Sequence, residues 1–322
     1  MANTTTPVLH DALIIGGGPA GLAAATALSR QLRPAILFDS GLYRNARASH
    51  MHNYLGFDHV PPAELRAKGR ADLKARYNTT TFVDREVVSV AKTTTPGIFK
   101  AVDAEGAEYY GRRVVLATGV TDIMPDIPGF ADCWGRVVFH CLFCHGFEER
   151  GAESAGVLMG GLGTTAAKAM HFAGMAGHLA KTITIYTNGD SAMTDEVVKM
   201  APNPPYQVDP RAIARVEMLP GQEGIVLHFT TGPSATERFL SHAPRTRVNG
   251  PFAEQLGLEM TEGGDIKVTE PFQETSVKGV LATGDCSTPI KAVAVATAHS
   301  ALAAAGIAGS LDQEPRPELA LL

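Results

Sequence analysis

The sequence predicts an α/β protein with two Rossmann-like dinucleotide-binding domains, and three observations carry that reading. Near the N-terminus an apolar run, a glycine turn and a helix close on a second strand that ends in an acid. The same pattern returns in the middle of the chain. Just before that echo stands Phe139-His140-Cys141-Leu142-Phe143-Cys144-His145, two cysteines separated by two residues with a histidine on each outer side.

Taken in order, Asp11-Ala12-Leu13-Ile14-Ile15 has the unbroken apolar character of a buried parallel strand. It enters Gly16-Gly17-Gly18-Pro19-Ala20-Gly21, followed by an Ala/Leu-rich helix over Leu22–Leu32 and a second strand, Ala35–Asp39. Together they make a complete βαβ unit of about 30 residues with G-x-G-x-x-G at its first turn. Gly16, Gly18 and Gly21 allow the tight turn, a close approach to a pyrophosphate and helix–strand packing. The helix N-terminus receives the phosphate, and Asp39 falls where a carboxylate holds ribose hydroxyls.

Ser49–Gly56 is polar and irregular. Pro61–Asn78 reads as a helix, and Thr81–Val90, Ile98–Ala104 and Glu108–Leu116 read as strands, the last closing on Ala117-Thr118-Gly119. Thr121–Gly129 carries turn residues and marks a boundary. After the cysteines, strand Ala155–Met159, the turn Gly160–Ala166, helix Ala167–Leu179 and strand Thr182–Tyr186 form the second βαβ unit, with Gly161, Gly163 and Ala166 at the fingerprint positions. Thr187-Asn188-Gly189-Asp190 follows, without the Arg or Lys that a 2′-phosphate needs. Pro202–Pro205 reads as a loop and Arg211–Thr230 as two strands. Near Ser241–Gly250 the chain crosses back, Val280–Asp285 is a strand closing on Gly-Asp, Val293–Ala308 is an Ala-rich helix, and Asp312–Leu322 reads as a tail.

Composition narrows the function classes. With 322 residues, 45% hydrophobic and 19% charged, the chain is long enough for two cores. A net charge of −5 leaves no basic footprint for nucleic acid or an anionic membrane. Met1–Val8 is polar with no basic-then-apolar leader, and no apolar run reaches the ~18 residues of a spanning helix. A cytoplasmic protein is expected, and there a Cys-x-x-Cys is more often redox-active or metal-binding than structural.

Several readings compete for the cysteines. The spacing lets the sulfurs bond when the second Cys begins a helix, whose N-terminus, with a nearby imidazolium, favours thiolate. Cys141-Leu142-Phe143-Cys144-His145 also fits c-type haem attachment, which needs export and a second axial ligand. Zinc could use Cys133, Cys141, Cys144 and His145, although structural zinc sites usually pair their ligands; no metal is expected. Inert buried thiols are a third alternative. Redox catalysis by Cys141 and Cys144 is the reading adopted, with Cys133 and Cys286 as core or cofactor-neighbour residues. His145 is the expected acid/base, since an imidazole pKa near 6.5 suits proton exchange with a thiol; His140, His52 and His299 are further candidates.

The GGGPAG turn, Ala117-Thr118-Gly119, the Cys-x-x-Cys, the second glycine turn and Thr283-Gly284-Asp285, in this order over nearly the whole chain, resemble the low-molecular-weight thioredoxin reductases. The resemblance implies that family's architecture: an FAD-binding domain from residues 1–122 and 245–322, an inserted NAD(P)-domain-like domain at 123–244 carrying the cysteines, and a homodimer. It implies FAD on Gly16, Gly18, Pro19, Ala20, Gly21 and Asp39, with Gly119, Asp285, Asn53 and Lys291 as further contacts. Three departures stand out. His145 replaces the family's usual Asp, the basic residues for the NADPH phosphate are missing, and Lys291-Ala292 stands where Arg-Gln is usual. Phe38-Asp39-Ser40-Gly41, His50-Met51-His52-Asn53, Cys141-Leu142-Phe143-Cys144 and Gly284–Pro289 are similar to the fungal branch that closes disulfides in gliotoxin-type metabolites. That branch implies oxidation of a small-molecule dithiol without NADPH, with O2 as acceptor, H2O2 as product and Cys144 as the flavin-side sulfur. An NAD(P)H-dependent disulfide reductase is the alternative enzyme, and a flavin-binding redox sensor or metabolite-sequestering resistance protein the alternative without turnover.

Overall fold

The apolar run Leu9–Ile15 is a central strand of a seven-stranded sheet, and Leu13 and Ile14 are fully buried in it, as a strand covered on both faces requires. It pairs in parallel with Ala35–Phe38 on one side and Glu108–Leu116 on the other, with Ile15 opposite both Phe38 and Leu116. The strand ends therefore stop together. A Cβ at Gly16, whose φ is +120°, would lie 2.2 Å from the Ala117 carbonyl oxygen, so only glycine fits there. Val280–Ala282 also pairs in parallel with Glu108–Leu116, and the Thr283 amide donates to the Leu116 carbonyl at 2.9 Å, which brings Gly284 to the same edge. Chain order reverses across Leu9–Ile15, the kind of switch point at which open α/β sheets hold their ligands.

The computed structural model describes residues 8–201 and 206–315. The loop expected at 202–205, most of the tail and the first seven residues lie outside them. The chain divides into two units. One is built from the residues up to Ala46, Val60–Thr121 and the chain from Arg247 onward; the other from Arg47–His59 and Asp122–Thr246. Residues 47–59 thus group with the middle of the chain, where a boundary drawn only at 122 would have left them with the N-terminal domain.

Within the first unit, the stretch read as one strand, Thr81–Val90, is two. Thr80–Val83 extends the parallel side against Ala35–Phe38, while Val87–Lys92 sits on the antiparallel side against Phe99–Asp103. The break between them carries the chain from one edge of the sheet to the other. Helix Pro19–Arg30 packs Leu22, Ala24, Ala25 and Leu28 into one core with Ala303, Ala304, Ile307 and Leu311 of helix Val293–Asp312. That helix runs 20 residues and is long and apolar enough to cross a membrane, contrary to the expectation that no segment is. One face of it, through Ala303, Ala304, Ile307 and Leu311, packs against Pro19–Arg30.

The second unit repeats the theme. Ala152–Leu158, helix Ala166–Ala176 and Ala180–Tyr186 form a βαβ unit in a five-stranded sheet ordered Tyr206–Asp209, Ala180–Tyr186, Ala152–Leu158, Leu240–Ser241 and Val138–Phe139. A three-stranded antiparallel sheet, Ile213–Met218, Ile225–Phe229 and Ala235–Glu237, completes it. Helix Ser191–Met200 was not foreseen. Its signal is Asp190, whose carboxylate caps it by accepting from the Met193 amide at 2.9 Å.

Candidate active site

The chain leaves strand Val138–Phe139, passes His140 and enters a one-turn helix, Leu142–His145. Cys141 is the N-cap of that turn, with extended backbone, and Cys144 is its third residue; the Cys144 amide donates to the Cys141 carbonyl at 3.1 Å. This corrects the expectation that the second cysteine begins the helix. The fold back is tight enough to bring the Cα atoms to 5.2 Å, and the two sulfurs are joined as a disulfide. A single turn has little macrodipole to offer a thiolate, so polarisation of these sulfurs falls to side chains. With the two sulfurs joined, neither is a free thiol in this structure. Cys133 lies in an apolar core with Phe130 and Trp134, and burial pushes its thiol up to about 11. Cys286 is buried as well and pushed up to about 11 for the same reason. Neither is a thiolate at neutral pH.

His145 follows Cys144 directly. Its ring lies flat on Phe139, centroids 5.3 Å apart and planes within 4°. Its Nε2 is buried without a hydrogen-bond partner. Burial, and then the His52 charge, hold its pKa below the usual imidazole value against a smaller upward pull from Glu148. The ring is neutral at pH 7 and has a nitrogen to accept a proton. His140 stacks instead on Trp134, and His299 belongs to the helix Val293–Asp312 of the other unit, with its Nδ1 buried and unpartnered.

The segment Arg47–His59 braces this turn. Arg47 donates to the Ala131 carbonyl at 2.6 Å, and the Asn53 side-chain amide donates to the Phe143 carbonyl at 2.6 Å. Asn53 was expected as a flavin contact; its amide is committed to the cysteine turn. His52 stands between two carboxylates, its Nδ1 3.6 Å from Asp58 and its Nε2 3.5 Å from Glu148. His50, His52, Phe139, His145, Glu148 and Arg238 line a recess of about 240 Å³, so the residue after Cys144 is also a wall of the recess. Phe143 and Phe147 are exposed on either side of Cys144 and offer an apolar landing surface beside the disulfide.

The first glycine turn fits a dinucleotide. Gly21 lies so close to the Gly16 carbonyl that a Cβ would come within 1.8 Å of its oxygen. Helix Pro19–Arg30 starts at Gly18 without a side-chain cap, and helix Val293–Asp312 starts at Ala292 equally uncapped. Ala20 and Ala296, from the first turns of these helices, meet with Ala117 in one small cluster. Two helix N-termini with free amides therefore converge where the strand ends stop, which is a cradle for a pyrophosphate. Asp39 is held by the Gly41 amide at 3.0 Å, Tyr43 at 2.7 Å and Arg70 at 2.9 Å. Gly119 has φ +66°, and Asp285 pairs with Arg44 at 3.1 Å. Lys291 was expected on the cofactor. Its ammonium instead donates to the Asp265 carboxylate at 2.8 Å and to the Asp285 and Thr288 carbonyls at 2.8 and 2.9 Å, which engages all three of its protons in the loop.

The second glycine turn is closed. The Gly160 and Gly163 amides donate to each other's carbonyls at 3.2 and 2.8 Å, and the Leu162 amide donates to Ala243 at 2.7 Å. Thr165 caps the following helix with its own hydroxyl, accepting from the Lys168 amide at 3.3 Å. In the second turn the amides of Gly160, Leu162 and Gly163 are thus engaged within the protein.

The profile of the family described as pyridine nucleotide-disulphide oxidoreductase matches residues 10–238. Thioredoxin reductase sirT of Leptosphaeria maculans is 43% identical over 309 residues, covering 94% of each chain. Thioredoxin reductase aclD of Aspergillus oryzae is 42% identical over 306 residues, covering 94% of this chain and 96% of its own. Among solved structures, an oxidoreductase from Agrobacterium tumefaciens superposes with a TM-score of 0.83 at 30% identity, over 96% of this chain and all of its own. The profile match and these identities place this chain in the pyridine nucleotide-disulphide oxidoreductase family, as a thioredoxin reductase-like member.

Proposed function

We propose that the protein oxidises a small-molecule dithiol to a cyclic disulfide through Cys141 and Cys144, with bound FAD and with O2 as the final electron acceptor. The observation that carries this reading is the contrast between its two glycine turns. Family members are flavoproteins, generally FAD-binding, and the open first turn suits that cofactor. In the second turn the Gly160, Leu162 and Gly163 amides are engaged within the protein, Asp190 is committed to capping a helix, and Thr187-Asn188-Gly189 brings no guanidinium or ammonium. Each missing charge-assisted hydrogen bond costs about 1.5–3 kcal/mol, or about one to two decades of affinity, so two absent basic residues would leave NADPH bound too weakly to serve as the donor.

The chemistry at the cysteines is thiol–disulfide exchange. With His145 accepting its proton, a substrate thiol becomes the attacking thiolate. It attacks the Cys141 sulfur, forming a substrate–Cys141 disulfide and releasing the Cys144 thiolate. The second substrate thiolate then attacks the substrate sulfur, closing the cyclic disulfide and releasing Cys141. The two electrons lost by the dithiol now reside on the cysteine pair. FAD supplies the two-electron acceptor that restores the disulfide, and O2 takes those electrons to give H2O2. Exposed Phe143 and Phe147 favour a substrate with apolar surface around its thiols.

One observation favours the reductase alternative: Arg245 lies against the second glycine turn, its Nε 3.4 Å from the Gly161 carbonyl. An oxygen electrode decides between turnover and simple capture. Air-saturated holoprotein supplied with a small cyclic-disulfide-forming dithiol and no nicotinamide should consume one O2 and release one H2O2 per disulfide formed. Stoichiometric loss of thiol that stops after one equivalent of protein would establish a sequestering protein in place of an oxidase.

A further inference from the structure

Beside the cysteine turn, three side chains bring metal-ligating atoms together. His52 Nε2, His59 Nδ1 and a Glu148 carboxylate oxygen all lie within 4.8 Å of one another, His52 3.5 Å and His59 4.0 Å from the same Glu148 oxygen. Ligands at about 2.0–2.2 Å around a tetrahedral zinc ion are about 3.3–3.5 Å apart, so the His52–Glu148 edge already has the right length. Closing the other edges needs movement of only a few tenths of an ångström to about 1.5 Å, by the reckoning of the same tetrahedron. The side chains that must move are free to do so: His59 is 62% and Glu148 41% exposed, while His52, at 13%, is the fixed point.

The surroundings are those of a metal centre. The Asp58 carboxylate stands 3.6 Å from His52 Nδ1, on the nitrogen away from Glu148, where a second carboxylate orients a metal-bound imidazole. The same Asp58 carboxylate accepts from the Asn53 amide at 2.9 Å, which anchors it to the segment. The His59 ring lies on His50, centroids 4.2 Å apart and planes within 8°, and its amide donates to Met51 at 2.9 Å. Two histidines and one carboxylate are the ligand set of zinc sites that keep a fourth position open.

We propose that His52, His59 and Glu148 form a zinc-binding site whose open fourth position takes a thiolate. His52 and Glu148 also line the recess that His145 lines, and thiolate sulfur is among the strongest zinc ligands. The thiolate is identified with the substrate class only through the dithiol-oxidase reading; the binding of zinc itself is independent of that reading.

The test uses the oxidised holoprotein, in which Cys141 and Cys144 are in a disulfide and cannot ligate. Metal-stripped protein is titrated with zinc against a chromophoric zinc indicator, with no dithiol present. One zinc per chain should be taken up. His59→Ala and Glu148→Gln should each weaken binding by at least about tenfold, Asp58→Asn by about tenfold through the imidazole it orients, and His178→Ala not at all. No stoichiometric uptake by the wild-type protein, or uptake unchanged in both His59→Ala and Glu148→Gln, overturns the site. Cobalt substitution reads the fourth position: adding a monothiol to the cobalt-loaded Cys141→Ser/Cys144→Ser protein, which has no disulfide for the thiol to open, should produce a thiolate-to-metal charge-transfer band, and its absence rules out thiolate coordination. Neither readout depends on turnover, so a protein that binds zinc as described but oxidises no dithiol refutes the functional reading and leaves the site standing.

Discussion

Cys141→Ser and Cys144→Ser should each reduce dithiol oxidation to background while leaving the flavin bound. Exchange needs one sulfur to be attacked and a second to leave, and the two are bonded to each other with no third thiol able to take over. Cys133 and Cys286 are both buried and both held as neutral thiols, so neither can rescue the pair. Serine is nearly isosteric with cysteine but cannot form the mixed disulfide, which makes the loss chemical. Cys133→Ser buries a hydroxyl in an apolar core away from the exchange, so it should cost about 1–3 kcal/mol of stability while changing the turnover of the folded protein by less than about threefold. Near-normal turnover in either Cys141→Ser or Cys144→Ser would remove dithiol exchange from the account.

His145→Ala should slow turnover by about 10²–10⁴-fold with FAD content unchanged, the range typical of a deleted general base. The placement supports a large effect. The ring is fixed against Phe139, its Nε2 is buried with no other partner, and burial together with His52 keeps it neutral and able to accept a proton at pH 7. A dithiol with lower thiol pKa values should recover part of the lost rate, because it needs the base less; a merely structural role would show no such recovery. A loss below about tenfold would move the proton transfer to His52, His140 or a water molecule.

The parts of the molecule that repeat were the parts legible in the sequence. Ala12–Ile15 and Val114–Leu116 announce themselves by unbroken apolar character, and Gly16 and Gly21 by a spacing that only a close backbone approach explains. Cys141 and Cys144 are conspicuous for the same reason: their spacing fixes their distance. Single polar residues in irregular segments carry no such period. For Asn53 and Lys291 the cofactor role rests on resemblance alone, and the hydrogen bonds they make to the cysteine turn and to the loop after Gly284 had no signal in the sequence. The grouping of Arg47–His59 with the middle unit was invisible because it is decided by contacts to Ala131, Phe143 and Glu148, all distant in sequence. Helix Val293–Asp312 illustrates the opposite failure. Its apolar composition is real, but only its packing against Pro19–Arg30 says what covers it.

The most direct test of the central claim is an anaerobic mixing experiment on the purified holoprotein, followed by flavin absorbance. A small dithiol should bleach the flavin within the turnover time, and readmitted air should restore its colour. NADPH and NADH at the same concentration should leave it yellow, since the Leu162 and Gly163 amides of the second glycine turn are engaged within the protein and, for NADPH, Thr187–Asp190 offers no basic residue to the 2′-phosphate. Rapid, saturable bleaching by either nicotinamide would contradict the account and make the protein a reductase of its family.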